Sequence, residues 1–421
     1  YPAGEVAAQL VGFNNIDDSG QEGIERAYDD WLAGVPGGRR VLKNRKGQIV
    51  KELELVRSEK SGNDLALSID LRLQYLAHRE LKATVTEFHA ESGAMVVLDA
   101  RTGEVLAMAS QPSFNPNVRA RIDQRAMRNR TLIDIVEPGS LMKPLTMVAA
   151  LESGKFTPHT PVDTNPGRIQ VADKTFSDPH NYGLLDVTGV ITKSSQVGLT
   201  KVSMQLSPVA IRDVFQRVGL GQNPGTGFPG ESPGMLPDKR PWRAVERATY
   251  AFGYGIEATA LQLARAYAVI ANNGLRRPVS LLKTTAAVPG EQVIDAAVAD
   301  AVRTMMITVT QPGGTGTRAA IPAYTVAGKT GTVHTVGAEG YQKHSYSSLF
   351  AGMVPAADPR LVAVVIVNKP QGGKYFGGLV AAPVFRKVMA GALRTLKIPP
   401  QLPAGQRVVA VATPPRPDGI Q

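Results

Sequence analysis

The stretch Glu137-Pro138-Gly139-Ser140-Leu141-Met142-Lys143-Pro144 constrains this chain more than any other, because it predicts a loop that runs straight into a helix. Ser140 and Lys143 are three positions apart, so in a helix opened by Ser140 both side chains share one face. A serine hydroxyl is a weak nucleophile until a neighbouring base removes its proton. Lysine can be that base only where burial or a nearby cation lowers its pKa towards neutrality. Helix N-terminal amides add partial positive charge at the serine end, which suits an oxyanion forming there. A helix N-cap followed by an exposed lysine has the same spacing, so this stretch alone leaves both readings open.

Two further stretches bear on the choice. Ser194-Ser195-Gln196 lies 54 residues beyond Ser140, and Lys329-Thr330-Gly331-Thr332 another 135 residues on, after the strand-like run Ala323-Tyr324-Thr325-Val326-Ala327. Order and separation fit S-x-x-K, S-D-N and K-T-G, the signature of penicillin-binding proteins and class A β-lactamases. The chain resembles a class B penicillin-binding protein of the division-specific, penicillin-binding protein 3 type, over nearly its whole length, Tyr1 to Pro400. The resemblance implies an α+β fold of the penicillin-binding transpeptidase and serine β-lactamase kind. Such a fold has an antiparallel sheet flanked by helices, a helical subdomain and a small N-terminal pedestal.

The 421 residues, 43% hydrophobic, can bury a large core and a smaller second domain. A formal charge of +11 suits an anionic partner such as a membrane surface or cell wall. The basic residues are dispersed, which argues against nucleic acid. Cysteine is absent and the six histidines show no ligand spacing, so neither a metal nor any other cofactor is expected. No run of 18 apolar residues and no signal peptide occurs. The resemblance implies a cytoplasmic tail and one transmembrane helix ahead of Tyr1, and hence the periplasmic domain of a single-pass inner-membrane protein.

Residues 1–62 are polar and Gly-punctuated, and they resemble the family's pedestal, with a helix at Gly23-Ile24-Glu25 and a turn at Trp31-Leu32-Ala33-Gly34. Residues 63–400 are expected to be the transpeptidase domain and 401–421 a flexible tail. Asn63 to Asp70 alternates and predicts a strand. Leu71 to Phe88 carries a leucine stripe at 73, 76 and 81 and predicts a helix. Gly93 to Asp99 predicts a buried strand, Arg101 to Glu104 a turn, and Val105 to Ser110 the returning strand. Residues 128–275 read mostly helical with long loops. Strands are expected at Val326 to Thr332, Ser347 to Val354 and Leu361 to Val367, and a last helix from about Ala381-Pro383 to Leu396. Gly328-Lys329-Thr330 is not a nucleotide-binding loop, because position 323 is alanine and not the required glycine.

Carried over from the family, Ser140 attacks the carbonyl of a D-alanyl-D-alanine stem peptide and Lys143 takes its proton, with Lys329 disfavouring the charged lysine. Ser194 relays the proton to the leaving D-alanine and Lys329 holds that shuttle in place. The N–H groups of Ser140 and Thr332 form the oxyanion hole, worth about 3 kcal/mol per donor. Thr330 and Thr332 bind the donor carboxylate, and Ser195, Gln196 and Gly331 complete the donor site. The amine of a second stem peptide then resolves the acyl-enzyme. Gln196 departs from the family's asparagine by one methylene, which bears on its contact with the acyl side of the donor or of a β-lactam. His334 reads as a solvated groove residue; Tyr375 and Phe376 fit an aromatic rim of the pocket or simple packing. Division proteins, including a glycan polymerase, are the implied partners and β-lactam antibiotics the implied covalent inhibitors. A serine β-lactamase is disfavoured, since no glutamate stands in an E-x-x-L-N pattern. A D,D-carboxypeptidase and a non-enzymatic penicillin-sensing or scaffold domain are the remaining alternatives.

Overall fold

The computed structural model describes residues 1–118, 123–238, 242–286, 288–337 and 340–401, so most of the expected tail at 401–421 lies outside the described residues. Its centre is a five-stranded antiparallel sheet. In chain order the strands are β1 (Ser92–Asp99), β2 (Val105–Gln111), β3 (Ala327–Gly337), β4 (Gly340–Val354) and β5 (Leu361–Asn368). Their order across the sheet is β3-β4-β5-β1-β2, which leaves β3, with Lys329 to Thr332, at one edge. An edge strand keeps one row of N–H and C=O groups unpaired, available to something other than the sheet.

Both faces of the sheet are covered, which is why β1 reads as an unbroken apolar run and not as an alternation. Met95 and Val97 face α1 (Leu71–Glu87) and the C-terminal helix, packing with Leu73, Leu81, Phe385 and Leu393. Ala94, Val96 and Leu98 face the other side, in the core that includes Leu145, Leu263 and Tyr267. That second side bears the helical subdomain, with α2 (Lys143–Glu152), α3 (Val187–Lys193), α4 (Gln196–Met204) and α5 (Ala260–Ala271). The final helix, α6, spans Gly377–Thr395.

In the main body, four sequence expectations need correction. Asn63 to Asp70 is not a strand: Leu67 makes an isolated bridge to Leu282. The opposing segment is as short, and the apolar alternation reports only that Leu65, Leu67 and Ile69 rest on the core. Residues 128–275 also contain two small two-stranded sheets, Pro161–Asp163 with Leu184–Asp186 and Arg168–Val171 with Lys174–Ser177. Strands of three or four residues are too short to show a period. The β3–β4 pair is longer than expected, because its outer part leaves the core as a two-stranded ribbon and carries polar residues. Helix α6 starts at Gly377, with Pro383 inside it, whereas Pro383 reads from sequence as a first-turn residue.

In the N-terminal part, residues 1–32 lie against the main body. Leu10 and Ile24 join its core, and Gln9 Nε2 donates to the carbonyls of Pro112 and Ala126, each at 3.0 Å. Trp31 and Leu32 belong to a short helix, Asp29–Leu32, not to a turn. A hairpin, Gly38–Lys43 with Ile49–Arg57, then projects with its second strand exposed throughout. With no layer to pack against, its Ile49, Leu53 and Leu55 are left exposed.

Candidate active site

Ser140 sits in a 3₁₀ turn, Gly139–Met142, that continues into α2. Pro144 falls in the first turn of that helix, where its missing N–H leaves no bond unmade. Gly139 has φ +52°, and a Cβ there would lie 2.2 Å from Val333 Cγ1 of β3. Only glycine lets this turn press against the edge strand. Gly253 closes from the other side: its carbonyl accepts from Gly139 N at 3.1 Å. Tyr267 on α5 donates its hydroxyl to the carbonyl of Leu141 at 2.8 Å. The nucleophile candidate is thus pinned between the sheet edge and the helical subdomain.

Helix α3 ends at Ser194, which adopts the left-handed conformation (φ 57°, ψ 34°). Such a conformation costs roughly 1–2 kcal/mol where the residue is not glycine. The Ser194 hydroxyl lies 3.2 Å from Lys143 Nζ and 2.8 Å from Lys329 Nζ. Lys143 Nζ also donates to the Ser194 carbonyl, and Lys329 Nζ to that of Thr330 at 3.1 Å. Both lysines are 0% exposed. Burial pushes Lys143 down to about 7, against the opposing charge of Asp178. Burial, then the like charge of Lys143, holds Lys329 well below the ordinary lysine range. Near neutral pH the cluster therefore holds an amine able to accept a proton.

Sequence reasoning missed Asp178. Its Oδ2 accepts from Ser195 Oγ at 2.5 Å, and its Oδ1 from the backbone N–H of Gln196 at 2.5 Å and of Val197 at 3.3 Å. Ser195 Oγ in turn accepts from Gly198 N at 2.8 Å, capping α4. Asp178 therefore holds the start of α4, and with it the backbone next to Ser194. No local rule finds a cap that arrives from outside the helix's own neighbourhood in the chain.

On β3, Thr330 Oγ1 is 2.7 Å from Thr315 Oγ1, and Thr332 Oγ1 accepts from Gly377 N at 3.0 Å. Gly331 is buried, and a Cβ on it would lie 3.3 Å from the Pro138 carbonyl, so this strand and the Ser140 turn touch. A cleft of about 350 Å³ is lined by Gln196, Lys174, Phe176, Tyr254, His334 and Tyr341, among others. Tyr375 and Phe376 do not line it. Tyr375 stacks on Tyr346 at 4.0 Å and meets Phe376 at 4.6 Å, a ladder that continues through Tyr346 to His334. It reaches the site through Gly377, whose N–H holds Thr332.

Comparison with known proteins gives the same picture. The family described as penicillin binding protein transpeptidase domain matches residues 93–390, and the penicillin-binding protein dimerisation domain matches residues 1–67. The peptidoglycan D,D-transpeptidase FtsI of Escherichia coli K12 is 46% identical over 400 residues, covering 95% of this chain and 68% of that protein. A probable peptidoglycan D,D-transpeptidase of Pseudomonas aeruginosa, PbpC, is 44% identical over 400 residues, 95% of this chain and 71% of that one. The apo TP domain of Burkholderia pseudomallei penicillin-binding protein 3 superposes with a TM-score of 0.74 at 40% identity, over 80% of this chain and 98% of that one. A match over 95% of this chain at these identities, on a fold whose edge strand and helical subdomain meet at the Ser140 turn, leaves one conclusion: the chain belongs to the penicillin-binding protein transpeptidases, class B, of the penicillin-binding protein 3 type.

Proposed function

We propose that this chain is the catalytic part of a peptidoglycan D,D-transpeptidase that cross-links stem peptides during septal wall synthesis, with Ser140 as its nucleophile. The observation that carries the reading is the convergence of two buried lysines on the Ser194 hydroxyl, one of them Lys143, three residues beyond Ser140. Neutral Lys143 takes the Ser140 proton as Oγ attacks the carbonyl of the penultimate D-alanine. The oxyanion is met by the N–H groups of Ser140 and Thr332. As the C–N bond breaks, the proton passes through Ser194 to the nitrogen of the departing D-alanine, leaving an acyl ester on Ser140. Lys329 holds Ser194 for that transfer. The amine of a second stem peptide then attacks the ester, regenerates the Ser140 hydroxyl and leaves the cross-link. Thr330, Gly331 and Thr332 receive the donor carboxylate, Ser195 and Gln196 the donor chain, and the Tyr375–Phe376 ladder flanks Thr332.

β-Lactams enter the same chemistry as acylating inhibitors. We place the chain on the periplasmic side of the inner membrane, held by a single-pass anchor. Its division partners, a glycan polymerase among them, meet it through the N-terminal part. Among the described residues no helix is long and apolar enough to cross a membrane.

The test is intact-mass measurement after penicillin treatment, paired with turnover of a D-alanyl-D-alanine donor in the presence of an amine acceptor. One long-lived adduct, absent in Ser140→Ala, and an amide product are expected. Rapid return to the free mass would indicate a β-lactamase, hydrolysis alone a carboxypeptidase, and an adduct with no turnover a sensor.

A further inference from the structure

Glu137 precedes the nucleophile candidate by three residues and is 9% exposed. Its Oε1 accepts from Gly255 N at 2.7 Å and from the Tyr341 hydroxyl at 2.9 Å. Its Oε2 is buried and meets no protein donor. Tyr341, by contrast, is 53% exposed and sits on the outer part of the β3–β4 ribbon, paired with Val336. Its ring lies 5.9 Å from that of Tyr254, and both rings line the cleft. One carboxylate therefore joins the Ser140 turn, the loop at Gly255 and the far end of the ribbon.

This arrangement is expensive for a structural strut. Burying a carboxylate costs several kcal/mol unless it is well paired, and here one oxygen goes unmet. A half-exposed tyrosine needs no such partner to stay on the surface. The ribbon already touches the same turn at its inner end, where Val333 presses on Gly139. With Tyr341 bonded to Glu137, the ribbon holds the turn on both sides of Pro138. Any ligand that fills the cleft meets Tyr341, and a displacement of Tyr341 acts on the backbone three residues from Ser140.

We propose that Glu137 is a positioning residue that fastens the outer end of the β3–β4 ribbon to the turn carrying Ser140, so that contact with Tyr341 in the cleft and the placing of the nucleophile are coupled. This rests on the reading of Ser140 as the nucleophile. It assigns Tyr341 a mechanical part: its hydroxyl is the catch that ties the ribbon to the turn. The carboxylate makes the catch firm, because a hydrogen bond to a charged acceptor is about twice as strong as one to a neutral one.

Three variants separate the catch from simple packing. Tyr341→Phe keeps the ring against Tyr254 and removes one hydroxyl; Glu137→Ala removes the carboxylate, and Glu137→Gln keeps an oxygen acceptor for both donors. The measurements are the pre-acylation dissociation constant and the limiting acylation rate with a fluorescent penicillin, and amide hydrogen exchange over residues 340–346. Loss of one charge-assisted bond predicts that Tyr341→Phe lowers the limiting rate about fivefold to tenfold and speeds exchange by a similar factor. Glu137→Ala exceeds this, and Glu137→Gln restores the rate to within about threefold of the parent. Parent values of both rate and exchange in Tyr341→Phe overturn the proposal. Faster exchange with an unchanged rate also overturns it, because the ribbon would then be fastened but not coupled. If the parent takes no label at Ser140, the nucleophile reading fails instead, and the exchange experiment still decides whether the catch exists.

Discussion

Replacing Lys143 by methionine, which keeps the length and removes the charge, should abolish acylation and yet stabilise the protein near neutral pH. A buried lysine held at about 7, against an ordinary 10.5, is bound by its proton less tightly in the folded than in the unfolded state. Each pH unit of that difference is worth about 1.4 kcal/mol, so burying the lysine costs the folded state about 5 kcal/mol at and below pH 6. The sign follows: between about pH 7 and 10.5 the unfolded chain carries the extra proton, so the stability of the parent rises with pH across that window. Lys143→Met escapes the cost but loses the bonds to the Ser194 hydroxyl and carbonyl, together about 2–3 kcal/mol. The net expectation is a gain of roughly 2 kcal/mol at pH 7 that fades to about zero by pH 9. Thermal unfolding of parent and variant at the two pH values measures the difference, and a fluorescent penicillin reports acylation. In the parent, the limiting acylation rate should rise about tenfold from pH 6 to pH 8, as Lys143 loses its proton. The reasoning is refuted if the variant is destabilised by the same amount at both pH values, or if it acylates at the parent rate.

Asp178→Asn removes the anion that holds Lys143 up, so the midpoint of the acylation profile should move to lower pH, and loss of a charged cap should cost about 1–2 kcal/mol in melting experiments. Gln196→Asn, which withdraws a side chain from the cleft, should change pre-acylation affinity for β-lactams with bulky acyl groups and leave the limiting rate within about threefold. Equal effects on two β-lactams, confined to the limiting rate, would instead put position 196 in the proton path. Gly139→Ala places a methyl 2.2 Å from Val333 Cγ1 at φ +52°, and should lower both stability, by about 2 kcal/mol or more, and acylation rate by calorimetry and labelling.

Much of the architecture was legible in the letters because the relevant signals are local. The leucine stripe of α1 needs only a helical period, and the turn at Arg101 to Glu104 between two apolar runs needs only glycine with a positive φ at Gly103. The three motifs, with their order and spacing, were equally plain, since each depends on residue type at short range. What failed at this level failed for lack of length or of a partner layer. The strands at Arg168–Val171 and Lys174–Ser177 are too short to carry a period, and the exposed hairpin Gly38–Lys43/Ile49–Arg57 packs against nothing that would impose one.

The chemistry of the site belongs to the tertiary structure. Nothing in the string Ser-Leu-Met-Lys says that Lys143 is fully buried; that follows from the packing of α2 among the other helices of the subdomain, and burial sets its pKa. The meeting of Lys143 and Lys329 on Ser194 joins residues 51 and 135 positions apart along the chain, and the left-handed turn at Ser194 aims the hydroxyl between them. Asp178 and Glu137 act on backbone that local sequence rules assign to other partners, so their roles appear only once the chain is folded. A sequence determines which groups are available and which short segments are helical or extended. Desolvation, and the distance between groups far apart along the chain, exist only in the folded state, and these two quantities decide which serine can become a nucleophile.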